Sequence, residues 1–581
     1  MQPRLPARLF TAFAALLLFA SCSKTNKQGK MIPKDAGYVV HINSRSLSEK
    51  VNMQELKQTD WYRSAMAEMR SDSTVPDFLV KLEEYNQPSG IDTLADYIFF
   101  GENKMELGMK FVVEGSIKDS KVFEGFLKTI YPAGNISKEG DISVMPVKDR
   151  AVITWNNERF VAGIQSPSYS DIYTMDRDRG KMNANDSTGT DNTAANIPEL
   201  TAYCKKMYAL KDDDNLSKDK KFTELMNTEG DLHFWVNSEK LLGGSLPMGV
   251  LSMIKMDKFL EGNVSTLTVN FDKGRVSIKS KGYMGKELSD LFDKYSGGSI
   301  NTDMLKSIPS KDVAGVFAFH FKPEGLRELV KLSGMDGIAD LLLIRQGFTI
   351  DDFVKANKGD IMISVSDLHM KMDTMTTLSL SGDKQIYPRE NPDARVLFSV
   401  AINDKDAFNK LIRAGKEQVG GQKNTYYNSN GNYFAIGNDA EMVNKYLEGG
   451  KTELPFLNKI SGNAIGGYAD IQKILKAFES EATKDSLGKR MFDESVKIWD
   501  NVSLTGGDYS GGSYNQLFEI NLVDKNTNSL KQLISYSVTM SELAKEKMKQ
   551  HEAENKLAEA KMMEEVKKIR PVPPRVKPKR K

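Results

Sequence analysis

Cysteine is nearly missing from this chain. Its 581 residues include two, Cys22 and Cys204, too few for a disulfide framework. Histidine is also scarce, with five residues, and no His-Glu-x-x-His helix or close ligand spacing appears among them. There is no Gly-rich loop ending in Lys-Ser or Lys-Thr to cradle a phosphate, and no Gly-x-Ser-x-Gly nucleophile elbow. Long apolar runs are missing as well, since nothing after the first twenty residues approaches the ~20 needed to span a bilayer. These absences leave no expected catalytic residue, no metal ligand and no cofactor.

What is present begins at the N-terminus. Arg4 and Arg8 precede an apolar stretch, Leu9 to Ala20, of signal-peptide length. It ends in Phe19-Ala20-Ser21-Cys22, which resembles the lipobox of bacterial lipoproteins. The resemblance implies removal of residues 1–21 and lipidation of Cys22, with 22–31 as a tether. An exported chain excludes nucleic acid as the expected partner and makes the membrane one, through the lipid. Ser23, Lys24, Thr25, Asn26 and Lys27 follow the cysteine. With no acidic residue among them, the expected place is the outer membrane, with the body facing the periplasm.

Past the tether the chain repeats itself. An apolar run through Phe111 and Ile117 meets Lys118-Asp119, then Phe123; another through Val396 and Ile402 meets Asn403-Asp404, then Phe408. Asp at a strand-to-helix junction is a good N-cap, because its carboxylate accepts an unpaired backbone N–H. Ile32-Pro33-Lys34-Asp35 is echoed by Ile308-Pro309 and Lys311-Asp312, and Asp231–Val236 by Ala464–Ala469. Asn263-Val264-Ser265 and Asn501-Val502-Ser503 each open a stretch interrupted by a Gly turn, as in a hairpin. Short helices are expected after both, near Leu288–Leu291 and Leu530–Leu533. Four echoes in one order predict two related halves, 32–300 and 301–535, with a mobile insert near 166–196 in the first. A polar insert is expected near Lys384–Asp393 in the second.

The fold expected from these patterns is α+β, each half a mainly antiparallel sheet with helices on one face. Residues 536–581 follow as a charged, solvated helix and a Pro-rich tail. His41, His233 and His320 all fall on expected strands and are read as half-exposed. Asp212-Asp213-Asp214 lacks the spacing of a calcium loop, and Cys204 reads as a packed, inert thiol.

Formal charge is +2 overall, and two of those charges are in the leader. The last sixteen residues hold Lys567, Lys568, Arg570, Arg575, Lys577, Lys579, Arg580 and Lys581 and nothing acidic, leaving about −8 on residues 22–565. A basic tail on an acidic body is a candidate contact for an anionic surface, whether lipid headgroups, an envelope polysaccharide or an acidic protein face.

The Ile-Pro-Lys-Asp opening after the lipobox, the strand Tyr38 to Ile42 with Asn43, and the phrase from Val396 to Ile412 resemble a family of Bacteroidota envelope lipoproteins catalogued as a domain of unknown function. That resemblance implies no active site. The expected role is a lipid-anchored, non-catalytic protein that binds or scaffolds another envelope component. The alternatives are a lipid or lipoprotein carrier, with Val316 to Phe321 lining a groove, and an enzyme whose residues meet only in three dimensions.

Overall fold

In the computed structural model the described residues are 28–71, 77–85, 87–104, 108–147, 151–165, 196–242, 255–378, 384–419 and 424–569. Cys22, the insert through residue 195, Arg570, Arg575, Lys577, Lys579, Arg580 and Lys581 lie outside them. Of Lys567 and Lys568 only the helical backbone is described.

The first half contributes ten strands: β1 (Tyr38–Ile42), β2 (Tyr97–Lys104), β3 (Gly108–Ser116), β4 (Ser137–Glu139), β5 (Ile142–Val147), β6 (Ala151–Trp155), β7 (Arg159–Gln165), β8 (Leu232–Asn237), β9 (Val264–Asp272) and β10 (Arg275–Tyr283). The second contributes β11 (Val313–His320), β12 (Asn357–Leu378), β13 (Lys384–Ile402), β14 (Tyr426–Ser429), β15 (Tyr433–Gly437), β16 (Ile465–Asp470), β17 (Trp499–Ser510) and β18 (Ser513–Leu522). The helices used below are α1 (Ser44–Lys50), α2 (Ser120–Ile130), α3 (Ile197–Lys206), α4 (Lys286–Tyr295), α5 (Pro323–Leu332), α6 (Asp336–Arg345), α7 (Lys405–Val419) and α8 (Ser529–Ile569).

Among the described residues the 18 strands form one sheet, and every pairing is antiparallel. The order is β4-β5-β6-β7-β3-β2-β1-β8-β9-β10-β18-β17-β16-β11-β12-β13-β15-β14. Outward from the centre, β10-β9-β8-β1-β2-β3-β7-β6 is answered by β18-β17-β16-β11-β12-β13-β15-β14. The halves are two copies of one topology, joined edge to edge. Lys279 and Leu517 are each the fifth residue of their strand, and they face each other across the β10–β18 join. An equivalent position paired with itself in an antiparallel ladder marks a local two-fold axis.

The repeated phrase behaves alike in both copies. Asp119 accepts from Lys121 N and Val122 N at the start of α2, and Asp404 accepts from Ala407 N at the start of α7. Phe123 and Phe408 are both buried, at 0% and 7% exposure. Helices cover both faces of the sheet, however, and not one only. In the first half Phe99 and Val113 pack with α2, while Ile98, Phe100 and Val112 pack with Leu200 and Cys204 of α3. Strands apolar at consecutive positions need cover on both sides.

The closing helices are exchanged between the halves. After β10, α4 packs on the second half, where Phe292 lies 6.0 Å from the Tyr509 ring and 6.3 Å from that of Tyr514. After β18, the start of α8 enters the first half, where Leu530 and Leu533 join the core of Ile42, Phe123, Trp155 and Phe271, while Tyr536 and Glu546 keep contact with Trp499 and Arg490 of the second. The short helix expected near Leu530 and the charged helix that follows are one element of 41 residues, unbroken through Ser535. From Met548 onward every described side chain on it is exposed. The stretch Lys384–Asp393, expected as a polar insert, is the first part of β13. Pro388 and Pro392 are tolerated there because that part of β13 has only β12 as a neighbour, so one edge needs no donor. Among the described residues no helix is long and apolar enough to cross a membrane.

Candidate functional site

The two-fold relation lets one copy be compared with the other position by position. In the first half Asp231, fully buried just before β8, is held by four donor contacts. Lys50 Nζ lies 2.6 Å from both carboxylate oxygens, Ser46 Oγ donates at 2.5 Å and Phe271 N at 2.6 Å. This clamp ties α1 to β8 and β9, and the surrounding core is solid. Ile42 pairs with Leu232, and both are inaccessible to solvent.

The second half has the same backbone and no clamp. Ala464 stands just before β16, where the first copy has Asp231. Ser46 and Lys50 are the third and seventh residues of α1; the third and seventh of α5 are Gly325 and Leu329. Phe319 pairs with Ile465 as Ile42 does with Leu232. Ala464, Gly325, Leu329, Phe319 and Ile465 all line a cavity of about 200 Å³, closed on its other side by Leu291, Phe292 and Tyr295 of α4. A Cβ on Gly325 would come within 2.9 Å of Tyr295 Cβ, so glycine lets α4 approach α5. Near the same wall β17 carries a register shift between Gly506 and Asp508 that β9 lacks. Gly506 and Gly507, at φ 129° and 93°, take conformations open to glycine, and Gly507 lines the cavity.

Besides Tyr295, Ser296 and Tyr514, two nitrogen-bearing side chains line this cavity. His320 Nδ1 is 2.9 Å from Asp360 Oδ1, which also accepts from Asn301 N at 3.2 Å. The carboxylate fixes the ring so that Nδ1 carries the proton and Nε2 presents a lone pair. No described residue hydrogen-bonds Nε2. Lys322 lines the cavity as well, and its ammonium reaches the Lys294 carbonyl at 3.4 Å.

His41 and His233 are not half-exposed as expected; both are buried, because helices cover that face too. They sit opposite each other on β1 and β8, with Nδ1 atoms 3.0 Å apart. His41 Nε2 lies 3.1 Å from Asp96, which also accepts from Gln28 at 2.9 Å; His233 Nε2 lies 2.9 Å from the Thr228 carbonyl. Burial, and then the neighbouring His41 ring, push the His233 pKa down to about 4 from 6.5. For Asp96, burial acts upward, but hydrogen bonds from His41 and Gln28 outweigh it and the carboxyl is held below its usual range.

This predicts acid sensitivity. Between pH 6.5 and 4 the unfolded chain binds a proton at His233 that the folded chain refuses, so stability falls as pH drops through that window. At ~1.4 kcal/mol per unit, the loss between pH 7.5 and 4.5 is about 2.5 kcal/mol. Urea titrations of wild type and His233→Gln at both pH values check it: the variant should lack that part of the loss. Equal pH dependence in the two proteins would contradict the assignment.

The other candidates are inert or structural. Cys204 is buried, and burial pushes its thiol up to about 12. Asp212 and Asp213 form an exposed loop with Lys218. Among the described residues no group of three or more His, Cys, Asp or Glu is placed to hold a metal ion.

Exposed apolar side chains gather on the outer β12–β13 ribbon and on α6, as well as on the outer part of α8, where Met548, Leu557, Met562 and Met563 are more than half exposed. The outer parts of β12 and β13, from His369↔Asp393 to Leu378↔Lys384, pair only with each other and form a ribbon about 30 Å long at ~3.4 Å per residue. By strand alternation one face carries Met370, Met372, Ile386, Pro388 and Pro392 among Thr374, Thr376 and Glu390, which meets Lys484; the other carries Lys371, Asp373, Arg389 and the pair Met375–Tyr387. Helix α6 leaves Leu341, Leu342 and Ile344 more than half exposed.

No protein-family model matches this chain, and no curated protein matches it. Among solved structures, TP0453 in crystal forms IV and III aligns over 48% of this chain and over 83% and 85% of its own length. Identity is 8% and 7%, and the TM-score is 0.22 in both. A likeness at that level carries no argument about fold or function.

Proposed function

We propose that this protein is a cell-envelope lipoprotein, tethered through Cys22 to the outer membrane on its periplasmic side, with a non-catalytic role in binding another envelope protein. The β12–β13 ribbon carries this reading. A two-stranded ribbon beyond the support of its sheet is marginal in water on its own, and the exposed Met372 and Ile386 on one face, the most exposed apolar side chains on it, suit a protein partner. Pro388 and Pro392 blunt the outer edge of β13 against strand addition, so the contact is by side chains on the Met372 face. The sequence of the leader supports the anchor. The exposed end of α8 and the basic tail beyond it suit a second, salt-sensitive contact with an anionic surface.

A photo-reactive residue at Met372 or Ile386 should cross-link in living cells to one discrete partner, and the same probe at Arg389 on the opposite face should not. Capture from both faces alike, or from neither, would remove the ribbon from the account. The anchor has its own test. Cys22→Ala should abolish acyl labelling and membrane retention together; retention at the wild-type level would sink it.

A further inference from the structure

We infer that the cavity between α4, α5 and β16 is a binding site for a small amphiphilic carboxylic acid, with its apolar part inside and its carboxyl group at His320 and Lys322.

The comparison of the two copies carries this. The first half fills the position with a buried ion pair; the second has Ala464 for Asp231, Gly325 for Ser46 and Leu329 for Lys50. Each replacement removes bulk or charge, and although Phe319 stands where the first half has Ile42, the space is not filled: Leu47, fourth in α1, is buried, while its counterpart Leu326 is 36% exposed. A random loss of packing would be expected to close up, since unfilled apolar space costs stability in proportion to its volume. Here the space persists, and a glycine bulge absent from β9 shapes one wall.

Size and charge narrow the ligand. An apolar cavity of ~150 Å³ accepts benzene, so about 200 Å³ takes one ring or a short acyl chain and not a diacyl lipid. The mouth is cationic on one side through Lys322, and His320, held through Nδ1 by Asp360, brings to the lining a ring whose Nε2 edge lies beside Gly298 and makes no hydrogen bond with a described residue. A carboxylate that takes up one proton from solvent on binding balances this arrangement: the proton is shared between a carboxyl oxygen and Nε2, and Lys322 donates to the other oxygen. A neutral alcohol leaves Lys322 unmatched. The inference depends on neither the ribbon nor Cys22.

Calorimetric titration of the mature protein with octanoate, set against octanol, tests it. Octanoate should bind at one saturable site, with octanol at least ten-fold weaker. Lys322→Ala should weaken octanoate about ten-fold and leave octanol unchanged. Rebuilding the first-half clamp with Ala464→Asp and Leu329→Lys should abolish binding of both ligands. If that double variant does not fold, Leu326→Trp at the exposed wall serves as the blocking substitution. No saturable octanoate binding, equal affinity for octanol, or full binding by the blocked variant would each overturn the inference.

Discussion

Asp231→Ala should lower stability by ~3–5 kcal/mol in a denaturant titration, the range for breaking a buried pair by removing one partner. The carboxylate is fully buried and accepts from Lys50, Ser46 and the Phe271 amide. Without it the Lys50 ammonium, itself mostly covered, loses its counter-charge, and the Phe271 amide loses the acceptor it has at 2.6 Å. The second half shows what the fold accepts in exchange, namely Ala464 with Leu329. Asp231→Ala combined with Lys50→Leu should therefore recover much of the loss, since replacing both partners by apolar groups is often near neutral. A double variant no more stable than the single one would mean that the clamp contributes through something other than its charges.

The duplication could be read in advance because its signals are local. An Asp cap, a Phe four residues later and a Gly turn between alternating strands each depend on neighbours in sequence, and both copies of Asp119–Phe123 and Asp404–Phe408 fold alike. The edge-to-edge join and the exchanged helices were not legible, because they depend on which apolar faces meet across the chain. The histidines show the same limit. Their strands were visible, but His41 and His233 meet across 192 residues through strand register. The cavity was partly legible. Phe319 and Phe321, in the stretch singled out as a groove lining, do line it, while Phe317, beside Phe319 on the same face, lies outside the lining and is 39% exposed. The sharper signal lay in the echo Asp231–Val236 and Ala464–Ala469, whose first residues differ in charge. Only the packing of α1 and α5 shows what that difference does.

Both the clamp and the cavity follow from two copies that close on each other. If α8 completes the first half, a substitution late in the chain must loosen strands near its beginning. Leu530 is 2% exposed within the core of Ile42, Phe123 and Phe271, so Leu530→Ala should cost ~2–5 kcal/mol. The most direct measurement is amide hydrogen exchange, strand by strand, in wild type and Leu530→Ala. Protection should fall in β1, β2 and β8 at least as much as in β17 and β18, although Leu530 follows the second half in sequence. Unchanged protection in β1, β2 and β8, with the loss confined to β11–β18, would contradict the exchange of closing helices.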